Sequence, residues 1–485
     1  MPKLRAASAE VEPSRRPDST RLFPKDPQPP PVHTPPMKLR HLLLPLALAT
    51  AAFAQEKPAA PPAPTFPTVL DHLDLKDGDT LVFLGDSITH QCLYTQYIED
   101  FFYTRYPKTR IHFHNAGVGG DRAKDALDRF DEDVAAYKPK YVTILLGMND
   151  GAYRGFDQPT FDTYSAGMTT ILEKIAALGA TAVPMTPTMF DSRAKRAKND
   201  NAEPRNSLYN GVLAFYGAWL RDQAEQRGLG YVNMWGPLND ITLAQRKTDP
   251  AFTMIGDGVH PGAAGQCVMA VAVLNDIVAK SNVSTILIEE KDGALAANAT
   301  GGVIEGFTSG EKIAFSFAAN RLPWVLPPEA AQGYKLTAAG HRLSQEKFAA
   351  RGLKAGKWQL SIDGQPVGTY PAAALAAGIE LQENDKTPQY QQALKVALLN
   401  KQRNDTAYQP LRGEYAQLKG KRRDLKKLAD ANSPELDAKK AEFDTYYTAQ
   451  KAKVADLLAK ARALEDDIYR ANQPVPRKYE LALIP

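Results

Sequence analysis

Between residues 80 and 280 the sequence alternates short apolar segments with amphipathic segments of helical length, and this alternation restricts the possible folds more than any other feature. The predicted strands are residues 81–84, 111–115, 141–146, 181–185 and 231–233. The predicted helices include residues 94–105, 123–137, 161–178 and 207–225. Strands that alternate with helices form βαβ units around a parallel sheet. Residues 80–280 are therefore predicted to form one compact α/β domain.

The first predicted strand runs directly into Gly85, Asp86 and Ser87. In open α/β sheets, ligands bind outside the carboxyl ends of the strands, so Ser87 lies where this architecture places chemistry. Asp and Ser are also favoured at the N-cap of a helix, which gives the same residues a purely structural explanation. This stretch taken alone leaves both interpretations open.

Three further motifs follow predicted strands or precede the last helix of the domain. NAGVGGD at 115–121 follows the second strand, GMND at 147–150 follows the third, and DGVH at 257–260 precedes a helix that begins near Ala263. Each motif alone is explained as a turn or a helix cap, because Gly, Asn and Asp are common in both. Because the carboxyl ends of parallel strands share one edge, the motifs are predicted to lie at the same edge as Ser87.

Together the motifs resemble those of the GDSL, or SGNH, hydrolase family over about residues 80–280. The matching blocks are GDS at 85–87, the glycine after Asn-Ala at Gly120, GxND at 147–150 and DxxH at 257–260. Ile88 replaces the leucine of GDSL, and this change affects no catalytic group. The resemblance implies a flavodoxin-like three-layer α/β/α fold with a parallel sheet.

The resemblance also implies roles for individual residues. Ser87 would be the nucleophile, His260 the general base and Asp257 the carboxylate that orients His260. The backbone N–H groups of Ser87 and Gly120 and the side-chain amide of Asn149 would form the oxyanion hole. The chemistry agrees, because a serine hydroxyl is a weak nucleophile until a base accepts its proton. The sequence has no phosphate loop, CxxC or HExxH motif, so neither a cofactor nor a metal is expected.

Other titratable residues near these motifs receive structural interpretations. His112 and His114 alternate along the second predicted strand and are expected to be structural, whereas His90, one turn past Ser87, is expected to line the pocket. Asp86 and Asp121 are interpreted as caps of the helices that follow them.

Residues 37–54 have the pattern of a secretory signal peptide, with a basic start, an apolar run and a small-x-small ending at Ala54. Cleavage there would leave a secreted or periplasmic chain that begins at Gln55, with residues 55–79 as a linker. Residues 1–36 are rich in Pro and Arg and are predicted to be either disordered or untranslated, with Met37 as the true start. The alternative is a long N-terminal region with an internal membrane anchor.

The basic excess of the chain lies in its N-terminal part. Residues 1–54 contain eight Lys or Arg and four Asp or Glu, which accounts for the formal net charge of +4. The chain after residue 54 is formally neutral, so its charge gives no reason to expect nucleic acid as a partner. It also has no other hydrophobic run long enough to span a bilayer. The oligomeric state is left open.

The two cysteines, Cys92 and Cys267, are expected to be buried free thiols, although export would permit a disulfide between them.

After residue 281 the pattern changes. Residues 284–387 are predicted to form a β-rich accessory domain, with a hairpin turn at Asp363 and Gly364. Residues 388–472 are predicted to form a helical hairpin, because apolar residues from Phe443 to Ile468 follow the alternating spacing of a coiled-coil seam. Residues 473–485 are predicted to be a C-terminal strand that returns to the β module. Trp324 and Trp358 are either carbohydrate-stacking residues or, as more often, core residues.

These observations predict an exported serine esterase that acts through an acyl-enzyme. The substrate is expected to be a small-molecule or polysaccharide ester, with an acetyl group on a carbohydrate favoured. Two alternatives remain open at this stage: a lipid or lysophospholipid acylhydrolase, and a carbohydrate-binding surface protein with a vestigial hydrolase domain.

Overall fold

The structure is a computed structural model, and it describes residues 67–198 and 207–485. The N-terminal extension, the predicted signal peptide and residues 55–66 of the predicted linker lie outside the described residues. In the described part of the chain, no helix combines the length and the apolar character needed to cross a membrane.

A parallel sheet forms the centre of the first half of the chain. Its strands are β1 (Thr80–Gly85), β2 (His112–Gly117), β3 (Tyr141–Leu145) and β4 (Thr181–Pro184), in the order β2-β1-β3-β4. The predicted fifth strand is reduced to one parallel bridge between Met185 and Val232. Beyond Val232 the backbone N–H groups donate to side chains and not to β4. The N–H of Asn233 donates to Asp276, and the N–H groups of the two residues after Asn233 donate to the Thr186 hydroxyl. With this bridge the order is the flavodoxin-like 2-1-3-4-5, which confirms the predicted fold class.

Helices cover this sheet. They are α1 (Ser87–His90), α2 (Leu93–Arg105), α3 (Ala123–Leu127), α4 (Phe130–Asp133), α5 (Gln158–Ala177), α6 (Ser192–Lys198), α7 (Tyr209–Arg227), α8 (Trp235–Gln245) and α9 (Ala263–Ile277). The single helix predicted over residues 123–137 is wrong: it is broken into α3, α4 and a short 3₁₀ turn. The break falls at Arg129, whose backbone leaves the helical region while its side chain turns inward to bind Asp121 and Asp133.

The β-rich part consists of two sheets that enclose a second hydrophobic core. Its elements are β5 (Ser284–Lys291), β6 (Ala294–Thr300), β7 (Gly302–Ser309), β8 (Lys312–Ala319), α10 (Ala331–Leu336), α11 (Ala339–Leu343), β9 (Glu346–Ala350), β10 (Lys357–Ile362), β11 (Gln365–Pro371), α12 (Ala372–Ala377), β12 (Ile379–Glu380) and β13 (Arg477–Ile484). The last of these strands pairs with both β10 and β8. Asp363 and Gly364 both have positive φ, as a two-residue hairpin turn requires.

Both tryptophans of this region are buried, so neither is a carbohydrate-stacking residue on the surface. Trp358 belongs to the core between the two β sheets. Trp324 packs instead into the core of the parallel sheet, where its indole N–H donates to the carbonyl of Tyr97 at 3.0 Å. The chain after residue 281 therefore contributes side chains to the core of the first half.

The C-terminal helices are α13 (Pro388–Arg403), α14 (Gln409–Asp430) and α15 (Leu436–Ala471), with a π-helical turn at Asn404–Tyr408 between the first two. Pro410 explains this turn, because proline has no N–H to donate and its ring crowds the carbonyl four residues earlier. A wider π turn leaves room for that ring without ending the helix.

An ion network buried between the sheet and the C-terminal helices joins the two halves of the chain. The Asp133 carboxylate accepts two hydrogen bonds from Arg412 of α14, at 2.7 and 2.9 Å, and one each from Arg129 and His114. Burial raises the pKa of a carboxyl group, but Arg412, His114 and Arg129 together hold the pKa of Asp133 well below its usual range. Burial lowers the pKa of His114 to about 4, so its neutral ring donates to Asp133.

We expect Arg412→Ala to destabilise the protein by about 3–5 kcal/mol, because the buried Asp133 charge loses its bidentate partner. The measurement is the free energy of unfolding in urea. Lys427→Ala is the matched control: Lys427 lies on the same helix in an exposed pair with Asp424, and its removal should cost about 0.2–1 kcal/mol. Equal unfolding free energies for the two variants would contradict the role given to the network.

Candidate active site

The predicted motif residues lie at one edge of the parallel sheet because its central strands end at the same level. Gly85 at the end of β1 pairs with Gly117 of β2 and with Leu145 of β3. Ser87 then begins α1, which passes closely over β2: a Cβ atom on Gly117 would come within 2.3 Å of the His90 backbone nitrogen. Glycine at 117 is what allows α1 to place Ser87 at this edge.

Ser87, His260 and Asp257 form a continuous hydrogen-bonded chain. Ser87 Oγ lies 2.8 Å from His260 Nε2, and His260 Nδ1 lies 2.7 Å from Asp257 Oδ2. If the Asp257 carboxylate accepts the Nδ1 proton, Nε2 is left to accept the proton of the Ser87 hydroxyl. All three side chains are partly accessible to solvent, so a substrate can reach them.

The loop that carries His260 is built around the Asp257 carboxylate. Its Oδ1 atom accepts hydrogen bonds from the backbone N–H groups of Val259 and His260. Partial burial raises the pKa of Asp257, but these hydrogen bonds and that of the His260 ring outweigh it and lower the pKa to about 2. Asp257 is therefore ionised at neutral pH. Gly258 has a φ of +85°, and a Cβ atom there would lie 2.9 Å from the carbonyl oxygen of Asp191, so the turn requires glycine.

The loops of Gly120 and Asn149 are joined to the Ser87 turn through Asn149. Its Nδ2 atom donates to the carbonyl oxygen of Asp121 at 3.0 Å and, more weakly, to Asp86 Oδ2 at 3.4 Å. Gly120, directly before Asp121 in the chain, lies in an exposed turn with a φ of +71°.

Tyr153 holds the Asn149 amide from the other side, and sequence reasoning missed it. The Tyr153 hydroxyl donates to Asn149 Oδ1 at 2.9 Å, which fixes the amide with its NH₂ group towards the Ser87 and Gly120 loops. Tyr153 and the preceding Ala152 both have a φ of 54°, an unfavourable conformation for residues with a side chain. Strain of this kind is often found at functional sites.

Three polar side chains far away in the sequence also brace the site. Gln266 of α9 donates weakly to the carbonyls of Ile88 and Pro261, and so links the helix of Ser87 to the loop of His260. Gln409 of α14 donates to the carbonyl of Gln91, just after α1. Lys419 of the same helix donates to the carbonyl of Gly119 and to Asp121 Oδ1. No motif identified these residues, because their contacts to Ile88, Gln91 and Gly119 join segments more than 150 residues apart.

Most of the histidines and aspartates that the sequence predicts to be structural have structural partners in the fold. His112 binds Glu465 and His114 binds Asp133. Asp86 caps α1, with Oδ1 accepting from the backbone of Ile88. The prediction for Asp121 is wrong: its carboxylate binds Arg129 and Lys419, while Asp150 accepts from the Ala123 N–H at the start of α3.

Three further observations concern histidine, cysteine and metal sites. His90, the last residue of the Ser87 helix, is half-buried, and burial lowers its pKa to about 4. Cys92 and Cys267 are both buried and free. Within residues 67–198 and 207–485, no group of three His, Cys, Asp or Glu side chains is arranged to hold a metal ion.

Asp86 and Asp150 are buried carboxyl groups directly next to Ser87 and Asn149 in the chain. Burial, together with the nearby Asp150 and Asp121 carboxyl groups, raises the pKa of Asp86 to about 7, and burial raises the pKa of Asp150 to about 7. The folded protein therefore keeps these protons at pH values where the unfolded chain has released them. The folded state then binds more protons than the unfolded chain. The stability that these protons contribute is therefore complete below about pH 4 and is lost as the pH rises through about 7.

We expect Asp86→Asn to remove part of this pH dependence, because the amide does not titrate. The unfolding free energy of the variant minus that of the parent should increase as the pH rises from about 4 to about 8. The measurement is urea unfolding across that range. Asp131→Asn, which neutralises an exposed carboxylate, should give a difference that does not change with pH in this way. A constant difference for Asp86→Asn would show that Asp86 is ionised throughout.

Comparisons with known proteins cover most of the described chain. Residues 83–267 match the model of the GDSL-like lipase/acylhydrolase family. An acetylxylan esterase from Geobacillus stearothermophilus is 26% identical over 228 residues, which are 42% of this chain and 96% of that protein. A solved structure of an acetylxylan esterase from the same organism covers 43% of this chain and 98% of its own, at 25% identity and a TM-score of 0.34.

A second solved structure extends the likeness beyond the matched range. It is described as a gut microbial diltiazem-metabolizing enzyme, and it covers 86% of this chain and 100% of its own at 26% identity, with a TM-score of 0.75. The similarity thus includes much of the chain after residue 267 as well as the parallel sheet.

Proposed function

Since this chain belongs, through residues 83–267, to the GDSL-like lipase/acylhydrolase family and is a carboxylic ester hydrolase, we propose that it is an exported serine esterase that removes a small acyl group, such as acetyl, from a carbohydrate. The observation that carries the mechanism is the chain of hydrogen bonds from Ser87 through His260 to Asp257. The acetyl-carbohydrate substrate is supported by the likeness to an acetylxylan esterase. Export is supported by the pattern of residues 37–54.

In this mechanism Ser87 Oγ attacks the ester carbonyl while His260 Nε2 accepts the hydroxyl proton. His260 then returns the proton to the leaving alcohol, which leaves an acyl group on Ser87 Oγ. Water, activated by the same imidazole, hydrolyses that acyl-enzyme. Asp257 stabilises the imidazolium that forms in each half of the reaction, and its low pKa keeps it charged for this purpose.

The oxyanion of each tetrahedral intermediate would be held by the backbone N–H groups of Ser87 and Gly120 and by Asn149 Nδ2. Donors fixed before the reaction stabilise this charge without reorganisation. The hydrogen bonds of Asn149 to Tyr153 and to the Asp121 carbonyl provide this fixation.

We expect an organophosphorus probe to label Ser87 and to inactivate the enzyme. Ser87→Ala should be neither labelled nor active, whereas Ser165→Ala, which removes a partly exposed serine of α5, should behave as the parent. Parent activity is measured on aryl esters of graded chain length, and acetyl esters should be hydrolysed fastest. Labelling at another residue would overturn the mechanism, and a maximum at long chains would favour a lipid acylhydrolase.

We expect Asn149→Ala to lower kcat by about 10²–10³-fold, the usual loss for one oxyanion donor. Tyr153→Phe should lower kcat by about 2–10-fold, because loss of one neutral hydrogen bond loosens the amide without removing it. KM should change little in either variant. Tyr231→Phe is the matched control, since the Tyr231 hydroxyl donates to the Gly217 carbonyl elsewhere in the fold. A rise in KM alone for Asn149→Ala would make Asn149 a substrate-binding residue instead.

A further inference from the structure

A groove of about 700 Å³ lies between α3 and α14 and begins at the proposed oxyanion hole. Gly120 lines it on the hydrolase side and Lys419 on the side of the C-terminal helices, with the Lys419 ammonium nitrogen 3.9 Å from the place of a Cβ atom on Gly120. If the ester carbonyl of a substrate is bound at Gly120, the part of the substrate next to the ester can therefore extend directly into this groove. We call it the basic groove for the charge of its lining.

The basic groove concentrates positive charge on one face of a chain that is formally neutral after residue 54. Seven of its lining side chains are Lys or Arg and three are Asp or Glu. The cations of α14 lie on one face of the helix, because their positions are spaced by three and four residues. They are Lys419, Arg422, Arg423 and Lys426.

Five of the seven cations of the basic groove have acidic partners, and two lysines have none in the described part of the chain. Lys419 binds Asp121, and Arg422 binds Glu132. Lys124 of α3 and Lys426 of α14 are exposed and take part in no ion pair within the described ranges. The fixed pairs shape the groove, while these two lysines remain available to an anionic ligand.

A second cavity gives the same cations access to the other proposed oxyanion donor. This cavity is lined by Arg122 and Lys124 together with Asn149 and Thr160. Arg122 and Lys124 therefore stand between two depressions that both reach groups proposed to bind the reacting ester. Their charge lies close to the bound substrate whichever depression the substrate follows.

We propose that the basic groove binds carboxylate groups of an acetylated acidic polysaccharide, in which uronic acids lie near the acetylated sugar. This inference rests on the proposed esterase function and adds the charge of the substrate. A row of cations along more than one helical turn suits a ligand with repeated negative charges better than a single anion. Ten of the thirteen lining residues are charged, and such a lining suits a sugar chain better than an acyl chain.

The test uses two acetylated xylo-oligosaccharides that differ only in a glucuronic acid branch. For the parent, kcat/KM should be about tenfold higher for the acidic substrate at low salt, and this preference should shrink at about 0.5 M salt because the charges are screened. The double variant Lys124→Glu/Lys426→Glu should abolish the preference, mainly through a higher KM for the acidic substrate. Lys124→Arg/Lys426→Arg should retain it.

Lys395→Glu is the matched control, since it reverses an exposed lysine of α13 outside the groove. It should leave the ratio of the two kcat/KM values unchanged. The inference would be overturned if the parent hydrolysed both substrates with no preference. It would also be overturned if Lys124→Glu/Lys426→Glu left the preference in place. Either result would leave the esterase function intact. Failure to hydrolyse either glycan or any aryl acetate would instead overturn the proposed function. If the double reversal abolished binding to vesicles of anionic lipid and left the glycan ratio unchanged, the groove would be a membrane site.

Discussion

Asp133 is a fully buried carboxylate, and it stays charged because Arg412, Arg129 and His114 surround it. Two of these partners come from the hydrolase half of the chain and one from the C-terminal helices, so the charge is compensated only when the two halves are packed together. An unpaired carboxylate at this depth would cost several kcal/mol. The network therefore fixes α14 against β2 and α4 with a directional constraint that apolar packing alone does not provide.

The same network extends to the loops of the proposed active site. Arg129 also donates to the carbonyl of Gly85, directly before the Ser87 turn, and to Asp121, directly after Gly120. Asp121 in turn binds Lys419. The turns that would carry the nucleophile and one oxyanion donor are thus held by hydrogen bonds that lead back to the C-terminal helices. This explains physically why those helices are closely integrated with the hydrolase fold, and why one of them forms a wall of the basic groove.

Integration of the two halves also involves the apolar core. Trp324, which follows the first strands of the β module, and α13 both pack into the core of the parallel sheet. The C-terminal half is best regarded as part of the scaffold of the site.

Sequence reasoning succeeded where a property depends on neighbouring residues. The strands β1 to β4 were predicted from apolar runs, and the motifs were predicted to share an edge because each follows a strand or precedes a helix. The structure brings Ser87, His260 and Asp257 into hydrogen-bonding distance, as the predicted arrangement requires. The errors arose where distant side chains replace local structure: Arg129 breaks the helix predicted over residues 123–137, and Asp121 binds Arg129 and Lys419 instead of capping α3.

The sequence by itself thus determined the fold class, the motifs at the sheet edge and the resemblance to a hydrolase family, because strand periodicity and turn residues are encoded within short segments. Only the tertiary structure decided that Tyr153 fixes Asn149, that Gln266 links the Ser87 helix to the His260 loop, and that α14 contributes Lys419 and the basic groove. Tyr153 and Asn149 are only four residues apart, but the contacts of Gln266 with Ile88 and of Lys419 with Gly119 join distant parts of the chain. Their partners are selected by packing and by the cost of burying unpaired charge, and neither quantity is defined until the halves of the chain have come together.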